Sequence, residues 1–216
     1  MGKMWTFENS PLDYFEQAYN FRPDDKWLEK VRKSALRFRN GCSASFISAD
    51  GLIMTNHHCV RGILPRLNEE DEDLLANDFF AETLDEERPV EGLFVDQLIY
   101  IKIITADVLR AMEKGETDSA KIISRDEKIE ELKTKASEEF PGLNFKSVSY
   151  YEGGKYSLYG YKKYNDIRLV FVPELLAAKL GVDYDNFTYP RYGLDCAFLR
   201  AYDEDGNPVK TEYFFS

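Results

Sequence analysis

The fold of this chain is decided by residues 41–59, which read Gly41-Cys42-Ser43-Ala44-Ser45-Phe46-Ile47-Ser48-Ala49-Asp50-Gly51-Leu52-Ile53-Met54-Thr55-Asn56-His57-His58-Cys59. Two runs with β-type composition, 42–47 and 52–55, flank the dipeptide Asp50-Gly51. Such a dipeptide is a strong signal for a two-residue hairpin turn, because both central positions need positive φ. The stretch therefore predicts a β-hairpin that ends in a pair of histidines.

The same hairpin predicts a contact between two cysteines. With the turn at Asp50-Gly51, uninterrupted antiparallel pairing places Cys42 opposite Cys59. Facing Cα atoms are about 4.5–5.5 Å apart, within the span of about 4.4–6.8 Å that a disulfide needs. A disulfide would fasten the turn that carries the histidines, and it would indicate an oxidising compartment. Two buried free thiols are the alternative, and Cys196 remains unpaired.

Composition limits the classes of protein to consider. The chain has 216 residues, of which 44% are hydrophobic and 14% aromatic, so it can bury a sizeable core. No run of about 18 apolar residues occurs, so no membrane span is expected. The net charge of -11 disfavours a nucleic-acid partner, because phosphate backbones repel an acidic surface. The first five residues lack the apolar segment of a signal peptide, so the chain is either cytosolic or has lost a leader.

Hydrophobic periodicity predicts a mainly β protein with helices. Residues 1–40 form a helical lead-in, with apolar side chains at helical spacing up to Phe38. Residues 41–105 contain the first strands and the histidine pair. Residues 106–140 are highly charged with a helical pattern, which indicates a helical insertion packed against a β core. Alternation returns in residues 141–216.

The chain has only two histidines, His57 and His58, and they are adjacent. A zinc site usually needs three or four protein ligands, and neighbouring histidines point in different directions, so no metal is expected. A thiol enzyme that pairs Cys59 with His58 is disfavoured, because adjacent residues rarely form a productive nucleophile and base. No cofactor is expected either.

Five segments carry a more specific signal than the hairpin alone. They are residues 4–12, 41–59, 156–164, 166–174 and 185–195, the last of which reads Asp185-Asn186-Phe187-Thr188-Tyr189-Pro190-Arg191-Tyr192-Gly193-Leu194-Asp195. In this order they resemble family 46 of the serine peptidases, which are dipeptidyl peptidases of the Gram-negative periplasm and cell surface. Several motifs in register make a chance similarity improbable.

This resemblance implies a chymotrypsin-like antiparallel β-barrel, here the N-terminal barrel of a double-barrel peptidase with a helical insertion. It places two members of a catalytic triad in the chain, with His58 as the general base and Asp195 as the acid that orients it. Asn186 and Phe187 match positions that help to bind the amino terminus of the substrate. Phe187 stands where many members have Trp, and Tyr192 where many have His.

The nucleophile is not apparent in these residues. No Gly-x-Ser-Gly occurs, and family members are far longer, so residues 1–216 are expected to be the N-terminal part of the peptidase domain and inactive alone. The complete enzyme would release dipeptides from peptides with a free amino terminus, in the periplasm or at the cell surface, with a homodimer as an option. The alternative is a non-catalytic β-barrel that serves as a binding or assembly module.

Overall fold

The computed structural model describes residues 5–39, 41–179 and 193–215. These residues form an α+β structure that divides into two compact units. The first unit comprises Met1–Val95 with Tyr164–Ser216, and the second comprises Asp96–Lys163. No helix among the described residues is both long and apolar enough to cross a membrane.

The helices and strands follow one another in a mixed order. The helices are α1 (Leu12–Tyr19), α2 (Asp25–Ser34), α3 (His57–Val60), α4 (Thr105–Met112), α5 (Asp118–Glu139) and α6 (Leu175–Ala178). The strands are β1 (Ala35–Phe38), β2 (Cys42–Phe46), β3 (Leu52–Thr55), β4 (Phe79–Phe80), β5 (Arg88–Pro89), β6 (Val95–Ile103), β7 (Leu143–Tyr150), β8 (Lys155–Tyr164), β9 (Asp166–Val172) and β10 (Ala197–Tyr202).

The lead-in contains the predicted helix, here α2, and a shorter helix α1 before it, but its last residues form a strand. Helix α2 begins at the cap Asp24, whose carboxylate accepts a hydrogen bond from the N–H of Trp27 at 2.8 Å. It ends at Ser34, and the prediction of a helical lead-in up to residue 40 is therefore wrong for Ala35–Phe38. Leu36 and Phe38 are buried at alternate positions in β1, which pairs antiparallel with β2. An alternation of two residues, and not helical spacing, describes this segment.

The first unit is built on an antiparallel sheet in which the strands lie in the order β4-β9-β10-β3-β2-β1, and β5 also pairs with β9. One face of this sheet forms the core. The fully buried core side chains include Phe38, Phe46, Ile53, Leu169 and Leu199. Because side chains alternate between the two faces of a strand, the intervening residues lie on the opposite face. The alternation along each strand therefore decides which side chains pack in the core and which lie on the outer face.

The predicted hairpin is present, but its register differs from the prediction by two residues. Phe46 pairs with Ile53, and the N–H of Ile47 donates to the carbonyl oxygen of Leu52 at 2.9 Å, so that the loop consists of the four residues 48–51 and not of two. The hydroxyl of Ser48 accepts hydrogen bonds from the N–H groups of Asp50 and Leu52 at 3.2 and 3.3 Å, which stabilises the longer loop. Gly51 alone has positive φ in this loop, at 69°.

The second unit contains the helical segment that the sequence predicts at 106–140. Helices α4 and α5 pack on a sheet in which β8 lies between β6 and β7. Their shared core contains Ile104, Val108, Ile129, Tyr156 and Leu158. The hairpin of β7 and β8 is antiparallel. The charge-rich helices thus cover one β-sheet with a narrow apolar stripe, as an amphipathic helix does.

A buried ion pair ties the connection before β6 to strand β10. The side chain of Glu87 is 2% exposed, and it accepts a hydrogen bond from Nε of Arg200 at 2.8 Å. The hydroxyl of Tyr202 donates to the same carboxylate at 2.7 Å. Burial, together with this hydrogen bond, raises the pKa of Tyr202 to about 12. The long segment between β3 and β6 is thereby fixed to the strand that follows Asp195.

We predict that Glu87→Ala lowers the free energy of unfolding by about 3–5 kcal/mol, because it leaves the largely buried guanidinium of Arg200 without its carboxylate partner. Urea unfolding of the variant measures this loss. The matched control is Glu130→Ala, which removes a carboxylate that is 67% exposed and pairs with Lys133. That change should cost less than about 1 kcal/mol. Equal losses in the two variants would contradict the assigned role of Glu87.

Candidate active site

Strand pairing brings the histidine segment and the Asp195 segment together. Thr55, the last residue of β3, pairs with Ala197, the first residue of β10. The chain then turns into α3 at one strand end, while Asp195 lies two residues before the other. The hydroxyl of Thr55 also donates to the carbonyl oxygen of Ser43 at 2.9 Å, which fixes the end of β3 to β2. Two residues that are 137 positions apart therefore meet at one edge of the sheet.

His58 and Asp195 are in direct contact through two hydrogen bonds. Nδ1 of the imidazole lies 2.7 Å from Oδ2 of the carboxylate. The backbone N–H of His58 donates to Oδ1 at 3.0 Å. The side chain of Asp195 is 20% exposed and that of His58 is 55% exposed. The carboxylate is thus held on both oxygens, and the imidazole presents its other edge to solvent.

The pKa of Asp195 lies below its ordinary value. Partial burial would raise this pKa, but the backbone N–H and the imidazole of His58 lower it by more. An ionised Asp195 accepts a hydrogen bond from Nδ1–H of His58, and in the neutral imidazole this leaves the lone pair on Nε2. The arrangement can therefore accept a proton at Nε2 of His58 and stabilise the resulting imidazolium, which is the chemistry of a general base.

His57, in contrast, is a buried residue of the core. Its side chain is only 2% exposed. Burial lowers the pKa of His57, although the charge of Asp195 opposes the shift. In the part of the chain that the structure describes, Nε2 of His57 has no hydrogen-bond partner. The two adjacent histidines therefore have different environments, and only His58 has the exposure that proton exchange with a ligand requires.

The disulfide between Cys42 and Cys59 is present, and the alternative of two free thiols is wrong. The Cα atoms are 6.2 Å apart. The two cysteines do not face each other across the hairpin, since β3 ends at Thr55 and Cys59 lies in the following helix α3. A ring nitrogen of His58 lies within 4.8 Å of both sulfurs. Because the disulfide consumes both thiols, this trio is packing around the imidazole and not a set of metal ligands.

Cys196 is a free thiol, as predicted. It follows Asp195 directly and is partly buried. Burial raises its pKa, and the negative charge of Asp195 adds to the shift. A thiol with a raised pKa is a poor nucleophile at neutral pH, because the thiolate is the reactive form.

Asn56 is a site residue that the sequence reasoning missed. Its side-chain Nδ2 donates to the backbone carbonyl of Asp195 at 3.1 Å, and it also lies 3.4 Å from Oδ2 of that residue. An amide beside the carboxylate supports the ionised form of the acid. The signal in the sequence is position alone: Asn56 directly precedes the histidine pair in the segment that decides the fold.

The predicted amine-binding residues cannot be placed with the others. Asn186, Phe187 and Tyr192 lie outside the described residues. Their roles therefore remain predictions from the family resemblance, whereas His58, Asp195 and the disulfide lie together at one edge of the sheet.

Comparisons with known proteins agree with this geometry. The family model of Peptidase S46 matches residues 1–216. The Asp/Glu-specific dipeptidyl-peptidase of Capnocytophaga gingivalis is 34% identical over 205 residues, which cover 87% of this chain and 28% of that protein. The dipeptidyl-peptidase 7 of Phocaeicola vulgatus is 33% identical over 181 residues, which cover 80% of this chain and 25% of that protein.

Solved structures show the same relationship. A crystal structure of Porphyromonas endodontalis DPP11 in complex with the dipeptide Arg-Asp matches with a TM-score of 0.69 and 28% identity, over 84% of this chain and 27% of that chain. A complex of the same protein with the dipeptide Arg-Glu matches over 99% of this chain and 33% of that chain, with a TM-score of 0.77 and 23% identity, and shows the shared fold.

The chain belongs to the peptidase S46 family. It spans about a quarter of the length of the curated relatives described above.

We predict that removal of the disulfide, by the double substitution Cys42→Ser and Cys59→Ser, lowers the free energy of unfolding by about 3 kcal/mol. The reason is that the bridge joins two residues 17 positions apart and so restricts the unfolded chain. Thermal unfolding with and without a reductant gives a second measurement in the unsubstituted chain. Single substitution of Cys196→Ser is the control and should leave the effect of the reductant unchanged. A reductant that does not alter the unfolding temperature would contradict this prediction.

We also predict that Asn56→Asp raises the pKa of Asp195, because it places a second negative charge where the amide now donates. Carbon NMR of the carboxyl groups measures the titration of Asp195. Asn207→Asp, at an exposed turn, introduces the same charge away from the site and should leave that titration unchanged. The contact between Asn56 and Asp195 is refuted if both variants give the unsubstituted curve.

Proposed function

We propose that the full-length protein is a serine-type dipeptidyl peptidase that releases dipeptides from the amino end of peptides, and that this chain supplies the base and the acid of its catalytic triad. The observation that carries the proposal is the contact of 2.7 Å between Nδ1 of His58 and Oδ2 of Asp195. The relatives from Capnocytophaga gingivalis and Phocaeicola vulgatus are dipeptidyl-peptidases, which supports the same reaction class.

The chemical roles follow from the two nitrogens of His58. Nε2 accepts the proton of a serine hydroxyl as its oxygen attacks the scissile carbonyl carbon, and it then gives that proton to the leaving amine. Asp195 stays ionised throughout and stabilises the imidazolium by the hydrogen bond at Nδ1. Asn56 positions the acid by donating a hydrogen bond to its backbone carbonyl oxygen.

The serine would come from a region of the full-length protein that lies outside residues 1–216 and corresponds to the unmatched part of the relatives. The fold that suits this division is a double barrel, in which the sheet of the first unit belongs to the N-terminal barrel and a second barrel carries the nucleophile and the oxyanion donors. The exposure of His58 supports this arrangement, since a serine can approach only an accessible imidazole edge.

The substrate is a peptide with a free amino terminus. The family resemblance assigns Asn186 and Phe187 to the pocket for this amine, where an amide oxygen can accept from an ammonium group and an aromatic face can attract it. Both residues lie in the segment that leads into Asp195. An anchored amine would fix the distance to the scissile bond and so set the length of the product.

The disulfide supports a location in the periplasm or at the cell surface, with a leader removed, because such bonds persist in oxidising compartments. The family resemblance adds a homodimer as an option for the full-length protein. No metal or cofactor enters the proposed reaction, since a base, an acid and a serine suffice for acyl transfer.

The test is dipeptide release by the full-length protein and its variants. His58→Ala and Asp195→Asn should each lower kcat by about three to four orders of magnitude with a much smaller change in KM. Asp203→Asn, at an exposed turn, is the matched control and should retain full activity. The proposal fails if full activity survives His58→Ala, or if the full-length protein releases no dipeptides.

A further inference from the structure

A row of large apolar side chains crosses the outer face of the sheet in the first unit. It consists of Met54, Phe80, Phe171 and Phe198, which we call the outer apolar row. Phe80 pairs with Phe171, Phe171 pairs with Phe198, and Phe198 pairs with Met54. The ring centroids of the first two pairs are 6.5 and 5.8 Å apart. The row is therefore continuous over four neighbouring strands.

The row faces away from the core; its two end members are open to solvent, and Phe171 and Phe198 between them are half-buried. Phe80 is 63% exposed and Met54 is 43% exposed, whereas the adjacent core residues Ile53 and Leu199 are fully buried. Isolated exposed apolar residues are common on protein surfaces, but contiguous apolar patches mark interaction sites. Four large apolar side chains at paired positions on neighbouring strands constitute such a patch.

The row lies at the end of the sheet that carries the candidate active site. Met54 is four residues before His58, and Phe198 is three residues after Asp195. The next outward-facing pair of β10 and β9, further from this end, is Arg200 opposite Arg168. The outer face is therefore no longer apolar there. The apolar patch is thus restricted to the edge at which the base and the acid meet.

We propose that the outer apolar row is the docking surface for the nucleophile-bearing part of the longer polypeptide. This inference rests on the proposed function, which requires a serine from residues beyond those of this chain to reach His58. A segment that reaches His58 comes to the same edge of the sheet as the row. Burial of apolar surface stabilises association, so the row can hold that segment near the imidazole.

The relatives' lengths support this occupant over a second copy of the chain. The 205 matched residues cover 28% of the Capnocytophaga gingivalis protein, so that most of its length lies outside the match. A segment of the same polypeptide also has a high effective concentration at the docking surface, which a second copy lacks.

Cysteine labelling in the full-length protein tests the proposal. Met54→Cys places a thiol in the row, and Glu204→Cys places one at an exposed turn beyond the opposite end of β10. Peptide mapping after maleimide treatment gives the labelling rate at each position. We expect position 54 to label at least about tenfold more slowly than position 204, because labelling there requires the docked segment to open.

Three results would overturn the proposal. Equal labelling rates at the two positions mean that the row is free in the full-length protein. Protection that disappears on dilution assigns the row to a second copy. Met54→Glu with unchanged kcat, KM and unfolding temperature shows that a charge in the row disturbs no docked segment. The same preparations are assayed for dipeptide release: an active enzyme with an unprotected row refutes docking alone, and a protected row without activity refutes the proposed function.

Discussion

The candidate site depends on the backbone pairing of β3 with β10. The pairing of Thr55 with Ala197 fixes the ends of two strands that are far apart in the sequence, and the residues beyond those ends then have little freedom. On one side the chain enters α3 and presents His58, and on the other it presents Asp195. The core side chains Ile53 and Leu199, both fully buried, stabilise the same pair of strands from the inner face. A proton-transfer pair at the edge of a rigid sheet needs little further ordering when a substrate binds.

The environment of each histidine, and not its position in the sequence, decides its chemistry. His57 is enclosed, so that burial lowers its pKa and leaves it a neutral part of the core. His58 is exposed on one edge and bonded to a carboxylate on the other. The disulfide beside the ring and the amide of Asn56 beside the acid restrict both partners of the pair. These contacts explain how a short helix at a strand end can hold an imidazole in one orientation.

The sequence predicted the hairpin, the disulfide and the helical segment of the second unit, because each has a local signal in turn residues, cysteine spacing or periodicity. The hairpin register was wrong by two residues, since the hydroxyl of Ser48 stabilises a longer loop that composition does not reveal. The helical prediction for residues 35–38 is wrong because four residues cannot separate helical spacing from alternation, and pairing with β2 decides between them. The partnership of His58 with Asp195 came only from the family resemblance, as no local pattern connects residues 137 positions apart. Asn56 was missed because its role depends on a hydrogen bond to Asp195, which lies beyond the end of a different strand.

Nitrogen NMR of the imidazole rings tests the central claim most directly. The account predicts that neutral His58 carries its proton on Nδ1, donated to Asp195, and that Asp195→Asn shifts the proton to Nε2, because an amide NH₂ group presented to Nδ1 favours the other tautomer. His57 should show no such change. A neutral His58 that carries its proton on Nε2 in the unsubstituted protein, with the same spectrum in Asp195→Asn, would contradict the pairing on which the account depends.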